Sequence, residues 1–398
     1  GRFSNTLSGS HQWISGGGMG MTGRRMRVLH VGKFYPPHRG GMESHVETLA
    51  RELSAEVDVQ VLVSGDGRQT VRETIDGIPV TRIGTLASFA SASINPGMAR
   101  AIREADADVV HFHHPNPTAV LSYLASGRRG PLVVTYHSDI IRQRMLGAAF
   151  SPVLHRFLRG AHAILASSPD YAASSPVLRK HAERVRIVPF GIRAEEFQTA
   201  DADAVAAIRA KYGPRLVVGA GRLVYYKGFD YLVRAMVAVD GRLVILGDGP
   251  LRAELQALAA EMGVADRVAL PGSVPELAPW YHAADVFALP AVARSEAFGL
   301  VQLEAMAAGT PVVNTRLDSG VPFVSRNGET GITVPPADVD ALADALDRLL
   351  DDAELRRRLG DAGRERVRRE FSLHRMVAQT LAVYQQAVSL DVSRTPSR

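Results

Sequence analysis

At 398 residues the chain is long enough for two domains with separate cores, and 46% hydrophobic and 22% charged residues are ordinary for a soluble globular protein. The absence of cysteine excludes disulfides, thiolate metal sites and a cysteine nucleophile, and suits a reducing, cytoplasmic setting. A net charge of +5 is too mild to argue for nucleic acid, and the basic–aromatic pattern of single-strand binders is missing; an anionic ligand or an acidic membrane surface is compatible with it.

Residues 1–25, with "GSH" and "SGGGMGM", read as a tag and linker remnant, placing a native start near Met21 or Met26. No stretch is long and apolar enough to span a bilayer. The first strand, "RVLHVG", runs into "KFYPPHRGGMESHV". Pro36 and Pro37 continue neither a ladder nor a helix, and Gly40 and Gly41 let a ligand approach the main chain. A helix then sets Met42, Val46, Leu49 and Leu53 on one face. Free N–H groups at its start favour an anion, although the stretch alone fits an ordinary βα turn.

Further strands of the first half are "DVQVLVS", "DVVHFHH", "LVVTYHS", "AILASSP" and "VRIVPFG". The acidic "ADAD" before "VVHFHH" resembles a metal motif but runs straight into the strand. His111 and His113 share one strand face and His114 joins the cluster, yet with no acidic partner nearby no metal is expected. Residues 140–162 mix Arg142, Arg144, Arg156 and Arg159 with Met145, Leu146, Phe150, Leu154, Phe157 and Leu158. Such a basic amphipathic segment fits peripheral contact with an anionic membrane or a core helix with wet arginines, and the two readings weigh evenly.

Residues 194–214 are polar, carry no strand and separate the halves. The second half supplies strands "RLVVGAG", "RLVILGDG", "VALPGSV", "DVFALPA" and "PVVNTR", with helices between them. Continuous apolar strands alternating with helices imply an α/β chain of two doubly wound, Rossmann-like domains, with ligands at the carboxyl ends of the strands and a cleft between the domains as the expected site. Arg222 and Lys227 follow one strand, where two cations can clamp a diphosphate or stand as solvated loop charges. Asp248 and Gly249 form a strand–turn–helix start with room for a nucleotide. Arg252 occupies the place of a third fingerprint glycine, which weakens a nicotinamide reading. In "RSEAFGLVQLEAMAAGTPVV", Glu296 and Glu304 are about 80° apart around an ideal helix and roughly 12 Å along it, too far to be a touching pair. Glu296 is expected in the loop before a helix and Glu304 on its second turn, both within reach of one extended ligand.

The ordered set of the GG loop, "TYHSD", "VPFGI", "GRLVYYKG", "GDGP", "PGSV" and "SEAFGLVQLEAMAAGTPVV" resembles the retaining GT-B glycosyltransferases of family 4, from about Met26 to the C-terminal helices. "NTRLDSGVPFVSRNGETGITVPP" further resembles the bacterial mannosyltransferases of O-antigen and exopolysaccharide synthesis, but "NTRLDSGVP" replaces the family's glycine-rich turn. The resemblance implies an acceptor-side domain at 26–193, a linker at 194–214 and a donor domain at 215–370. A helix at 371–390 would pack back on the first domain, with a tail at 391–398. Arg222 and Lys227 would hold the donor diphosphate, with Gly40 and Gly41 approaching it and Asp248 and Gly249 lining the donor site. Glu304 would take the ribose hydroxyls, and Val274 would meet the base through its main chain. Glu296, with the backbone of Phe298, Gly299 and Leu300, would take the hexose hydroxyls, and His137 would contact the transferred sugar.

The implied reaction moves a hexose, with retention, from a nucleotide-diphosphate sugar to a glycan or lipid-linked acceptor. GDP-mannose is favoured over a UDP-sugar, and neither metal nor cofactor is required. Two cations and helix N-termini would stabilise the departing diphosphate. No carboxylate pair with glycosidase spacing is evident, so same-face attack, with the leaving phosphate taking the acceptor's proton, is the implied route. The rivals are a UDP-sugar enzyme with a small-molecule or antibiotic acceptor, an epimerase or dehydrogenase, and a sugar-nucleotide-binding module without catalysis.

Overall fold

The computed structural model describes residues 24–38, 40–89, 92–139 and 144–394. The chain forms two compact units: one runs through Val188 and resumes at Val377, and the other spans Pro189–Met376.

The first unit contains β1 (Arg27–Val31), β2 (Asp58–Ser64), β3 (Val71–Ile75), β4 (Ile78–Ile83), β5 (Ala87–Phe89), β6 (Ala92–Ile94), β7 (Val109–His114), β8 (Leu132–Tyr136), β9 (Ala163–Ala166) and β10 (Val185–Ile187). Its main sheet has the order β10-β9-β8-β7-β1-β2-β4-β3 and is parallel except for β3 against β4. Every residue of β7 and β8 is buried, as expected of central parallel strands covered on both faces. The β3–β4 hairpin has no counterpart among the strands expected from the sequence. It turns through Asp76 and Gly77 at φ 50° and 80°, the left-handed pair that a two-residue hairpin turn needs. β5 and β6 form a separate small hairpin.

The second unit contains β11 (Leu216–Ala220), β12 (Arg242–Leu246), β13 (Val268–Gly272), β14 (Val286–Leu289), β15 (Val312–Thr315) and β16 (Gly331–Val334). The order is β13-β12-β11-β14-β15-β16, all parallel. The helices Phe229–Ala235 and Val339–Asp351 bury Leu232, Val233, Leu342 and Leu346 with Val217, Leu243 and Ile245 of the sheet. In each sheet the chain reverses its direction of strand addition once, between β1 and β7 and between β11 and β14. Ligands gather at such points, beyond the carboxyl ends of the strands.

The stretch read as a linker, 194–214, carries the helices Glu195–Gln198 and Ala202–Tyr212 and belongs to the second unit. The last helix, Leu373–Arg394, is longer than expected, so residues 391–394 are helical rather than tail. In the helix Arg144–Arg159, Leu154, Phe157 and Leu158 are buried, and Phe157 packs against Phe112 and Tyr123. That half is core structure. Arg142, and the side chains of Arg144, Met145 and Leu146, lie outside what is described, as do residues 1–23 and 395–398. Among the described residues no helix is long and apolar enough to cross a membrane.

Candidate functional site

Candidate donor residues of the second unit follow neighbouring strands of one parallel sheet. Arg222 and Lys227 follow β11, Asp248 and Gly249 follow β12, Val274 follows β13, and the stretch from Glu296 to Leu300 follows β14. All sit at carboxyl ends, and β11 and β14 flank the reversal. Lys227 and Glu296 join across that point: their charged groups are 2.6 Å apart and both residues are buried. The family resemblance assigns one to the diphosphate and the other to the sugar, and the structure makes them partners. Arg222 differs. It is exposed, and among the described residues its guanidinium has no hydrogen bond or ion pair.

Two glycines shape this edge. Gly228 (φ 68°) brings the β11 loop so close to β14 that a Cβ would lie 2.0 Å from the Pro290 carbonyl oxygen. Gly299 (φ 78°) caps the helix Leu300–Ala308, and a Cβ there would meet Leu289 and Gln302 within 2.7 Å. Phe298, just before it, is buried against Phe190. The "DSGVP" segment buttresses the same loop, since Gly320 N–H donates to the Ala297 carbonyl at 2.7 Å. Glu296 lies in the loop and Glu304 on the second turn, as expected from their spacing. Neither is an ordinary solvated glutamate. Glu304 is half-buried and accepts a 2.7 Å hydrogen bond from the Tyr281 hydroxyl, and burial raises its carboxyl to about 7 against that bond. Asp248 accepts from the Gly249 N–H and lies 3.8 Å from Arg252, while Val274 is half-buried in the loop beyond β13.

The first unit holds Gly40, Gly41 and His137. Gly40 precedes the helix Gly41–Leu53, and a Cβ on Gly41 would meet nothing within 4 Å. His137, just after β8, is buried with a company of histidines that the sequence reading only half found. In the parallel register His30 of β1 lies beside His111 of β7, and His113 beside Thr135 of β8. His45, one turn into the helix Gly41–Leu53, sets its ring edge-on to His137 at 5.0 Å. The ring nitrogens of His113 meet His30 at 3.0 Å and His137 at 3.2 Å. Burial keeps all of them neutral: His30 is lowered to about 3, His45 to about 4, and His111, His113 and His137 well below 6.5. His30, His111 and His113, or His45, His113 and His137, bring ligand atoms within 4.8 Å of one another, a spacing a metal could use. No carboxylate belongs to either trio. Asp108 of the acidic "ADAD" is instead tied to Arg24 and Arg27. His114, on the opposite face, stacks on Tyr136 and has neither ring nitrogen paired among the described residues.

Residues 203–366 match the family described as "Glycosyl transferases group 1", and residues 39–196 match "Glycosyltransferase Family 4". The chain is 34% identical over 356 residues to the D-rhamnosyltransferase WbpZ of Pseudomonas aeruginosa, covering 87% of this chain and 92% of that protein. The chain belongs to the family 4 glycosyltransferases. This glycosyltransferase is also 29% identical to the O-antigen chain mannosyltransferase C of Escherichia coli, over 90% of this chain and 98% of that protein. Among solved structures, sucrose-phosphate synthase of Thermosynechococcus elongatus superimposes with a TM-score of 0.78 at 26% identity, over 92% of this chain and 100% of that one. The glycosyltransferase therefore has the GT-B fold that its motifs implied.

Sequence reasoning missed His30 and His45 in this glycosyltransferase. The one available signal was a histidine at the same place in an apolar run as His111, "VLHV" against "VVHF". Equal depth along neighbouring parallel strands would have set the two rings side by side.

Proposed function

We propose that this glycosyltransferase transfers a manno-configured hexose, with retention, from a nucleotide-diphosphate sugar to a glycan or lipid-linked acceptor. The supporting observation is the exposed Arg222, unpaired among the described residues, on the same loop as Lys227 of the buried Lys227–Glu296 pair, at the reversal point of a parallel sheet. A free guanidinium there can take phosphate oxygens in bidentate fashion, with Lys227 behind it as a second cation. These charges stabilise the departing diphosphate as the sugar–phosphate bond breaks, so no metal is required. Glu304 takes the ribose hydroxyls and Glu296 the sugar hydroxyls, with the Phe298–Leu300 backbone at the helix start. The sugars named for the two relatives, mannose and D-rhamnose, differ only at C6, which favours a manno-configured donor and GDP as its carrier.

A thermal-shift panel of GDP, UDP, ADP and their sugars, run in EDTA, tests the carrier and the metal together. GDP at 100 times its dissociation constant should stabilise by about 2.7 kcal/mol. Stabilisation by UDP and not GDP would remove the mannosyl reading, and stabilisation that needs added magnesium or manganese would remove metal independence.

Glu304 gives the binding a pH dependence. With its carboxyl at about 7 and the hydroxyls needing an ionised acceptor, a proton must leave for ligand to bind at lower pH. Affinity for GDP-mannose, whose doubly esterified diphosphate does not titrate in this range, should therefore rise roughly tenfold from pH 6 to pH 8. Calorimetry on the native protein and on Glu304→Gln checks this: the variant should bind more weakly and lose most of the slope. Identical slopes would take Glu304 out of the donor site.

A further inference from the structure

The histidines around His137 are strung on one line of hydrogen bonds. Thr135 Oγ1 lies 2.6 Å from His111 Nε2, and His111 Nδ1 lies 2.5 Å from the Tyr384 hydroxyl. That hydroxyl is 3.5 Å from His30 Nε2, His30 Nδ1 is 3.0 Å from His113 Nε2, and His113 Nδ1 is 3.2 Å from His137 Nε2. All six residues are buried. Five come from three adjacent strands and the end of β8, and the sixth, Tyr384, comes from the final helix.

A neutral imidazole carries one N–H and one bare nitrogen, so the sense of one link dictates the next. Thr135 sets the sense. Among the described residues its hydroxyl has one side-chain partner, His111 Nε2, and a buried O–H left without an acceptor is costly. Thr135 therefore donates to His111 Nε2, and His111 donates from Nδ1 to the Tyr384 oxygen. Tyr384 then donates to His30 Nε2, His30 from Nδ1 to His113 Nε2, and His113 from Nδ1 to His137 Nε2. We propose that Thr135, His111, Tyr384, His30 and His113 form a directed hydrogen-bond relay that fixes His137 as the Nδ1–H tautomer, with Nε2 bare and accepting. They are positioning residues, because none of them need touch the sugar. Burial, which holds every ring uncharged, preserves the one-donor, one-acceptor rule along the line. The consequence for transfer rests on the reading in which His137 meets the sugar; the tautomer itself does not.

The Tyr384–His30 link is the longest, and Tyr384→Phe cuts it while keeping the ring. Histidine ring ¹⁵N spectra, with His137 assigned by its loss in His137→Gln, should show only the Nδ1–H form in the native protein. A mixture of both tautomers is expected in Tyr384→Phe. Thr135→Val, nearly isosteric, removes the anchor, and Thr135→Ser, which keeps the hydroxyl, should restore the single form. Turnover in Tyr384→Phe should fall about tenfold with little change in KM for the donor, the pattern of an interaction that strengthens in the transition state. An Nε2–H His137 in the native protein, or unchanged spectra in both folded Tyr384→Phe and Thr135→Val, would overturn the relay. Spectra that change while kcat does not would leave the relay standing and remove His137 from the sugar.

Discussion

Lowering the pH from 7 to 5 should destabilise the first unit by about 6 kcal/mol from His30, His45 and His114 alone, as each contributes about 2 kcal/mol. The sign follows from proton counts. Unfolded, these rings bind a proton below 6.5; folded, they refuse it until about 3, 4 and 3. Between those values the unfolded chain holds more protons, so stability falls as the pH drops below 6.5 and keeps falling toward the folded values. His111, His113 and His137 are shifted the same way, first by burial and then by the charge of neighbouring histidines, and add to the loss. A total of this size rivals the whole stability of an ordinary domain. Hydrogen exchange of peptides from β1, β7 and β8 at pH 7 and pH 5 should show protection collapsing at the lower pH. His114→Phe, which removes a titrating ring with two unpaired nitrogens, should recover about 2 kcal/mol of it at pH 5. Protection that is unchanged between the two pH values would mean the rings are hydrated in solution.

The second large effect separates the two cations after β11. Lys227→Ala leaves Glu296 buried without its partner and should cost about 3–5 kcal/mol of stability. The double variant Lys227→Ala/Glu296→Gln should recover part of that cost, because no lone charge remains. Arg222→Ala removes an exposed, unpaired side chain and should change stability by no more than about 0.5 kcal/mol. Its turnover should nevertheless fall about 10²–10³-fold, the scale for one lost stabilising group in a transition state. Urea denaturation and initial rates with a nucleotide sugar read the two effects separately. The clamp fails if Arg222→Ala turns over normally, and the buried pair fails as a structural tie if Lys227→Ala is as stable as the native protein.

What the sequence disclosed, and what it withheld, follows the range of the forces involved. Continuous apolar runs such as "RLVVGAG" and "DVFALPA" announced β11 and β14 because a strand covered on both faces has a local signature. The β3–β4 hairpin went unread although "DG" was present, because the residues of β3 are almost all exposed and show no apolar alternation. β16 went unread because it is an edge strand whose two middle residues are only half-buried, so "GITV" carries no continuous apolar run. At the site, Arg222, Glu296 and Glu304 could be picked out by motif. The Lys227–Glu296 pairing could not, because it depends on β14 lying next to β11 rather than next to β13. The histidine line has the same character. Its links run between β1, β7, β8 and the last helix, and strand order is a property of the whole fold.

The return of residues from Val377 onward to the first unit has a consequence for how the protein is made. The first ten strands leave the ribosome early, but the helix segment bearing Tyr384 emerges roughly 190 residues after Val188, on the order of 10–40 s later at about 5–20 residues per second. Until then His111 and His30 lack the hydroxyl between them, and the face of the sheet that the segment covers is open to chaperones. Excising residues 24–188 as an independent fragment would make that interval permanent. The smallest autonomous version of the first unit is therefore two pieces of chain rather than one, and a circular permutant joining them is its natural single-chain form.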